Sequence, residues 1–268
     1  MAQAQETSQA ASVIAALSRE EAIAAFGDGG GITVLGGGTI VMPEIRHGRL
    51  APQRTLMLRG AGLSGVLQSG GRTTIGAMTP VSALEELPEP LGSTAKGVAD
   101  LEVRAQATVG GNLCAPPGAE TPRGDLQAAL IALGAQVRSA GAGGERTESV
   151  EDFLTAGPDG RLVLEVGYAD PQGGARSAVR RPHAHAYTIL AVCVVRTGGE
   201  VRIAASGAGP RAVRLRAAEQ AFAGTGDPAA AAARALDDAT PHDDALASAW
   251  YRGRTLPVLV RRALTELT

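Results

Sequence analysis

The amino-acid sequence predicts an α+β protein built from two domains, 1–170 and 171–268, with the first domain divided near residue 54. In the first domain, short apolar runs of strand type alternate with helical segments, and glycine-rich turns separate them. The second domain has strand runs first and an alanine-rich helical stretch from Ala217 onward. With 268 residues, the chain is long enough to bury a core in two or three subdomains.

Composition and charge exclude several classes of protein. Hydrophobic residues make up 44% and charged residues 19%, with a formal net charge of −2, so we expect a globular protein with no electrostatic preference for nucleic acid. The longest apolar runs, such as 189–195, are too short to cross a bilayer, and the N-terminus lacks a basic segment followed by an apolar one. We therefore expect no membrane insertion and a cytoplasmic location.

The cysteine content limits the cofactors that this chain could hold by itself. Cys114 and Cys193 are the only two cysteines, which excludes a disulfide scaffold and an all-cysteine zinc or iron–sulfur site. Cys193 lies in an apolar run and is predicted to be a core thiol. His183 and His185 would share one face of a strand, but no nearby cysteine completes a site, so no metal is predicted.

The first elements are predicted from their end signals. Ser18 is the expected N-cap of a helix over 19–26, and Gly27 is expected to end that helix. An apolar run over 31–35 predicts a brief buried strand that leads into three glycines. A helix is predicted to begin at residue 39, and Pro43 either lies in its first turn or moves the helix start downstream.

The later elements follow from the same signals. Patterns typical of β-structure predict a strand over 55–58, a hairpin or meander over 70–77, strands at 135–138 and 159–166, and a hairpin turn over 139–146. One helix is predicted to begin at Thr79, and another to cover 125–133, with Asp125 in its first turn and Gly134 at its end. The clearest strands of the second domain are 187–195 and 200–208.

Two glycine-rich segments, 36–39 and 108–112, are the strongest functional signal. Each has glycines beside a threonine or an asparagine, so main-chain N–H groups could face a phosphate without a Cβ in the way. Neither segment continues into Lys-Ser or Lys-Thr, which excludes a Walker-type triphosphatase. The six-residue Rossmann glycine pattern is also missing. Two such segments together indicate a dinucleotide.

Three motifs in order, 35–43, 74–79 and 107–113, resemble the FAD-binding medium subunit of the molybdenum hydroxylases, the xanthine dehydrogenase and carbon monoxide dehydrogenase family. The stretches 203–216 and 251–264 are similar to the C-terminal domain of that family. The resemblance covers about 32–264. It implies a two-lobed N-terminal FAD-binding domain of the vanillyl-alcohol-oxidase type, followed by a small domain of a short antiparallel sheet with helices.

The resemblance also implies a function in electron transfer. A large partner subunit would hold the molybdenum cofactor and oxidise the substrate, and a small partner subunit would hold [2Fe–2S] clusters. FAD on this chain would take electrons from those clusters and pass them to an acceptor such as NAD, a quinone, another carrier or oxygen. Two alternatives stay open: a degenerate assembly or interaction subunit without redox function, and a stand-alone FAD-dependent oxidoreductase, for which no acid–base group is evident.

The resemblance assigns cofactor contacts to two segments and three single positions, and no catalytic residue. The first segment would wrap the FAD pyrophosphate and nearby ribityl oxygens, and it contains Leu35, Gly36, Gly37, Gly38, Thr39, Ile40, Val41 and Met42. The second segment contains Thr108, Val109, Gly110, Gly111 and Asn112. Asp125 would contact the adenosine end, and Leu164 lies in the strand that would pack along the flavin. Tyr187 either contacts the isoalloxazine or begins a core strand.

The chain departs from the family pattern at two places. The 113–124 segment is longer than usual and contains three prolines. Ala184 stands where an acidic residue is common in the family. We expect the region between Asn112 and Asp125 to differ from the same region of related proteins. These two departures from the family pattern support the alternative of a degenerate subunit.

Overall fold

A small parallel sheet forms the first lobe of the computed structural model, which describes residues 11–117, 124–180 and 187–267. Its elements in chain order are β1 (Ser12–Ala15), α1 (Arg19–Phe26), β2 (Ile32–Leu35), α2 (Val41–Arg46) and β3 (Arg54–Met57). The three strands are ordered β1-β3-β2, and both pairs are parallel. Helical crossovers connect parallel strands, which explains the alternation of strand and helix in this part of the sequence.

The end signals of α1 and α2 act as expected. Ser18 accepts a hydrogen bond from the Glu21 N–H at 3.1 Å, while the Glu21 carboxylate accepts one from the Leu17 N–H at 2.8 Å. Gly27 ends α1 with φ +61°. In α2, Pro43 lies in the first turn, where its missing N–H removes no intrahelical bond. The predicted helix and strand before the first glycine segment are confirmed.

A five-stranded antiparallel sheet forms the second lobe. Its strands are β4 (Val66–Ser69), β5 (Arg72–Gly76), β6 (Gln136–Gly141), β7 (Gly144–Ser149) and β8 (Leu162–Ala169), in the order β4-β5-β8-β6-β7. The helices around it are α3 (Leu91–Lys96), α4 (Leu101–Gln106), α5 (Val109–Leu113), α6 (Asp125–Ala132) and α7 (Val150–Ala156). The helix expected from Thr79 is a 3₁₀ helix, Val81–Leu84. The hairpins predicted near 70 and 139–146 are the β4–β5 and β6–β7 pairs.

The C-terminal part is a four-stranded antiparallel sheet covered by helices. Its elements are β9 (Gly173–Arg180), β10 (Thr188–Thr197), β11 (Glu200–Ser206), β12 (Val213–Arg214), α8 (Arg216–Thr225), α9 (Pro228–Ala233) and α10 (Ala249–Leu267). The sheet order is β12-β11-β10-β9. This arrangement confirms the predicted fold class. Over the described residues, no helix is both long enough and apolar enough to cross a membrane.

Strand β10 and helix α6 join the two parts of the chain. Both faces of β10 are covered, because Cys193 and Val195 pack in the core around α6 while Val192 and Val194 pack in the core with α8 and α10. This explains why β10 is a continuous apolar run rather than an alternating one. All eight residues of α6 are buried. Cys193 is a core thiol as expected, and burial raises its pKa to about 11.

A buried ion pair holds α10 to the C-terminal sheet. Arg252 is fully buried and donates two hydrogen bonds from Nη2 to the Asp244 carboxylate, at 2.8 and 2.9 Å. Its Nη1 donates to the carbonyl oxygens of Ile189 and Gly207 at 2.6 and 2.8 Å. Such a pair is stabilising only while both partners and their further hydrogen bonds are present. Arg252 is therefore a buried structural side chain of the C-terminal part.

Tyr168 on β8 provides a pH-dependent test of the second lobe. Burial, with a further contribution from the Asp170 carboxylate, raises its pKa from about 10 to about 12, although the hydrogen bond with Thr73 acts in the opposite direction. A phenol whose pKa is raised on folding contributes stability that is complete below pH 10 and is lost as the pH rises to about 12. We expect a loss of ~2 kcal/mol from this group across that window.

Urea unfolding at a series of alkaline pH values measures this effect. The Tyr168→Phe variant is expected to lose stability less steeply above pH 10 than the unmodified chain. Both cysteines also have raised pKa values, but they are unchanged in the variant, so the difference between the two curves belongs to Tyr168. Parallel curves would contradict the assignment.

Candidate functional site

The structure brings the two glycine-rich segments into contact. A Cβ on Gly37 would overlap the main-chain carbonyl of Gln106, and a Cβ on Gly36 would lie 3.0 Å from Oγ1 of Thr108. Only glycine at Gly37 permits this approach of two backbones. Segments that are about seventy residues apart in sequence therefore form one continuous surface between the first and second lobes.

The first segment has a series of main-chain donors with no acceptor. The N–H groups of Gly36, Gly37, Gly38, Thr39 and Ile40 make no hydrogen bond to any residue that the structure describes. These residues are half-buried, and Gly38 has φ +78°, a left-handed conformation that turns the chain into α2. Half-buried N–H groups normally have an acceptor, so successive unpaired ones indicate a place for an anionic ligand.

The second segment is a short helix rather than a loop. Thr108 is the N-cap of α5, and its Oγ1 accepts a hydrogen bond from the Gly111 N–H at 3.2 Å. The Val109 N–H donates to the Thr79 carbonyl at 3.0 Å, and the Gly110 N–H donates to the Ala77 carbonyl at 2.8 Å. The expectation that these N–H groups face a phosphate is wrong for Val109 and Gly110, because both are already paired within the protein.

A cavity of about 360 Å³ lies on one side of the two segments. Gly36, Thr108, Gly110 and Gly111 line it, together with an apolar wall from the first lobe, Phe26, Ile32, Val34 and Leu58. The turn 158–161 and the start of β8 complete its far side. The lining of this cavity is more apolar than polar, as expected for a site that holds a flat heterocycle.

A smaller cavity of about 90 Å³ lies on the other side. Three predicted groups meet there: Thr39 and Ile40 from the first segment, Asn112 and Asp125 from either side of the proline-containing region, and Tyr187 from the C-terminal part. The Asn112 Oδ1 accepts a hydrogen bond from the Leu126 N–H at 2.9 Å, so Asn112 fixes the first turn of α6 and with it the buried Asp125. The Asn112 Oδ1 therefore already accepts a hydrogen bond within the protein.

The two single positions that the resemblance placed at opposite ends of FAD lie together. Asp125, assigned to the adenosine end, and Tyr187, assigned to the flavin, line the same smaller cavity. The alternative that Tyr187 begins a core strand is wrong, because β10 begins at Thr188 and Tyr187 is 38% exposed. Tyr187 is thus outside the core and lines the smaller cavity.

Some predicted residues are near the site without lining it. Leu164 is only 1% exposed and packs in the core of the first lobe, whereas Leu162 and Val163 of the same strand line the larger cavity. Leu35, Val41, Met42 and Val109 line neither of these two cavities. Leu35 and Met42 instead stabilise the backbone of the first segment, because the Leu35 carbonyl accepts a hydrogen bond from the Leu58 N–H and the Met42 N–H donates to the Gly38 carbonyl.

Several lining residues were missed by the sequence analysis. The sequence pattern around Phe26 predicts only a helix, and the pattern over 159–166 predicts a strand with no turn at Gly160. The loop that contains Val98 and Ala99 was not identified at all. The Asp-Gly pair at 159–160 was the one available turn signal. No local sequence pattern marks Val98 as a residue that lines a cavity, because its position depends on long-range packing.

Two of the noted departures fall partly or wholly outside the described residues. Ala184, His183 and His185 lie there, as does half of the proline-containing segment, residues 118–123 of 113–124. In the described part of that segment, Cys114 lines the larger cavity, and burial raises its thiol pKa to about 12, which a nearby Arg211 only partly opposes. Cys114 is therefore protonated at neutral pH and is a poor nucleophile. Within the described ranges, no group of three His, Cys, Asp or Glu side chains is arranged to hold a metal ion.

Comparison with known proteins identifies both parts of the chain. Residues 7–167 match the family model of the FAD binding domain in molybdopterin dehydrogenase, and residues 175–267 match that of the CO dehydrogenase flavoprotein C-terminal domain. No curated protein sequence gives a significant match.

The structure is similar to chains of three solved enzymes. One is carbon monoxide dehydrogenase from Hydrogenophaga pseudoflava, with 26% identity, 96% of this chain and 97% of that chain covered, and a TM-score of 0.84. Reconstituted CO dehydrogenase from Oligotropha carboxidovorans has 25% identity, the same coverage and a TM-score of 0.85. Quinoline 2-oxidoreductase from Pseudomonas putida 86 has 24% identity, 96% coverage of both chains and a TM-score of 0.83, a likeness of fold.

The contact between the two segments predicts a strong effect of one methyl group. In Gly37→Ala, the new Cβ would overlap the Gln106 carbonyl, so the two backbones must separate. We expect the free energy of unfolding to fall by about 2 kcal/mol, a typical cost of overpacking. Gly143→Ala is the matched control, because its Cβ would meet no atom within 4 Å and its φ is not positive. Equal urea midpoints for the two variants would contradict the proposed contact.

Proposed function

Because the chain belongs to the FAD-binding medium subunits of the molybdenum hydroxylases, we propose that it is the electron-transfer subunit of such an enzyme. In this proposal a small partner subunit supplies electrons from its [2Fe–2S] clusters, a large partner subunit holds the molybdenum cofactor, and an external acceptor removes the electrons. Bound FAD would supply the redox chemistry, since a flavin accepts electrons singly and releases them in pairs. A cytoplasmic location remains a prediction.

The unpaired N–H groups of 36–40 are the observation that supports this function most strongly. A pyrophosphate offers several anionic oxygens, and these main-chain donors can satisfy them without a lysine or arginine. Because these donors are half-buried, an anion bound there would pair with them more completely than solvent does. The donor set therefore fits the phosphate part of FAD, and the nearby Thr108 hydroxyl adds one more polar group.

The position of the two cavities supports a dinucleotide over a mononucleotide. Gly36 lines the larger cavity, while Thr39 and Ile40, three and four residues further, line the smaller one. The glycine turn thus lies between two cavities, as a diphosphate lies between the two halves of a dinucleotide. We assign the adenosine half to the larger cavity, beside Phe26, and the flavin half to the smaller one.

This assignment changes the role of Asp125. Because Asp125 lines the same cavity as Tyr187, we propose that its carboxylate accepts hydrogen bonds from ribityl hydroxyls near the flavin instead of from the adenosine ribose. Tyr187, which is partly exposed and lines that cavity, would pack against the isoalloxazine. A cavity lined by a partly exposed side chain suits a flavin that exchanges electrons with a partner and with an acceptor.

Purification with its cognate subunits tests the function directly. We expect yellow protein whose visible spectrum is that of a bound flavin, and co-purification of one molybdenum-containing and one iron–sulfur subunit. Electron transfer would be supported if substrate reduces the flavin in the complete complex but does not reduce it in the isolated chain. No flavin uptake would indicate a degenerate subunit, and substrate oxidation by the isolated chain would indicate a stand-alone oxidoreductase; either result contradicts the proposal.

Asp125→Asn tests the revised placement of the carboxylate. The amide keeps the size of the side chain but removes the charge, so we expect the dissociation constant for FAD to rise by about ten- to hundredfold, from the loss of one or two hydrogen bonds to a charged group. Titration of the apoprotein with FAD measures it. Asp237→Asn is the control, because Asp237 is an exposed carboxylate in an ion pair with Arg234. An unchanged affinity in Asp125→Asn would contradict the placement.

A further inference from the structure

The loop between α3 and α4 has a strained residue beside the smaller cavity. Ala99 has φ +40°, the only positive φ of a non-glycine residue in the part of the chain that the structure describes. The left-handed region costs an alanine about 1 kcal/mol or more, so it persists only where surrounding contacts hold it. Ala99 and its neighbour Val98 both line the cavity that also contains Tyr187.

Arg104, one turn into α4, holds the strained residue in place. Its Nη1 donates hydrogen bonds to the carbonyl oxygens of Val98 at 3.1 Å and Ala99 at 3.4 Å. Its Nε donates to the Glu85 carboxylate at 2.7 Å, which fixes the direction of the guanidinium. Both side chains are largely buried, at 15% and 21% exposure, so this pair is better shielded from solvent than a surface ion pair.

Both ends of the loop are also fixed. Asp100 caps α4 by accepting a hydrogen bond from the Val103 N–H at 2.8 Å. At the other end, a Cβ on Gly97 would lie 2.9 Å from the guanidinium of Arg176 on β9, so the loop packs closely on the C-terminal sheet. The loop is therefore held between the second lobe and the C-terminal part, and Arg104 binds the carbonyl groups in the middle of the loop.

We propose that Arg104 is a positioning residue for the flavin half of the site. By binding the Val98 and Ala99 carbonyls it keeps Ala99 in the left-handed conformation, and this holds Val98, Ala99 and Val103 as one wall of the cavity that Tyr187 also lines. The wall limits the access of solvent to the flavin ring. This inference rests on the proposed function, because it requires FAD in that cavity.

The test compares Arg104→Gln with Arg234→Gln, which removes an exposed ion pair with Asp237 in the C-terminal part. Two quantities are measured: hydrogen exchange of the 97–103 amides in the protein without FAD, and iodide quenching of flavin fluorescence in the protein with FAD. Arg104→Gln is expected to increase both several-fold, while Arg234→Gln changes neither.

Ala99→Gly separates positioning from general destabilisation. Glycine adopts φ +40° without strain, so the wall needs Arg104 less when residue 99 is glycine. In the Ala99→Gly background, Arg104→Gln is therefore expected to raise iodide quenching by a smaller factor. A simple loss of stability would give the same factor in both backgrounds, and that result would overturn the proposal.

Other outcomes are equally decisive. Unchanged exchange and quenching in Arg104→Gln would overturn the proposal, and so would faster exchange with unchanged quenching, because the loop would then be irrelevant to the flavin. FAD uptake by the unmodified chain is measured first. Its absence contradicts the proposed function and the flavin role of Arg104 together, whereas uptake with unchanged quenching contradicts the role of Arg104 alone.

Discussion

The approach of Gly37 to the main chain of Gln106 is the constraint on which the rest of the site depends. It sets the first glycine segment directly against the N-terminus of α5, and any side chain at residue 37 would separate the two. With the segments in contact, the unpaired N–H groups of 36–40 lie in a turn whose first residue lines the larger cavity and whose last two residues line the smaller one. The two segments contribute different groups: the first provides main-chain donors, and the second provides the Thr108 hydroxyl and a rigid helix that supports the first segment.

Helix α6 extends this arrangement to the C-terminal part. Asn112, at the end of the second segment, accepts the hydrogen bond from the Leu126 N–H and so fixes the direction in which α6 begins. The same helix is buried on every side between the second lobe and the C-terminal sheet, where Cys193 belongs to its core. Asp125 therefore lies at the junction of the two parts, which is where Tyr187 also enters. The smaller cavity is a product of domain packing, not of one motif.

Much of the fold could be predicted from the sequence, but less of the site. Ser18 and Gly27 marked both ends of α1 because capping is local, and the apolar run of β10 was long enough to identify a strand. Helices such as α4 have six residues, none of them fully buried, so no periodic pattern could show them. The sequence predicts a loop after Thr108 instead of helix α5, because two glycines in five residues are unfavourable in a helix. The meeting of Asp125 and Tyr187, and the strain at Ala99, depend on tertiary packing and have no sequence signal.

The central claim is that the main-chain donors of 36–40 bind the diphosphate of FAD. Hydrogen exchange of a peptide that covers these residues, measured with and without FAD, tests it most directly, because an amide that donates to a phosphate oxygen exchanges more slowly. The account predicts strong protection of these amides by FAD, with little change in a distant peptide such as one from α8. Tight binding of FAD with unchanged exchange over 36–40 would contradict it.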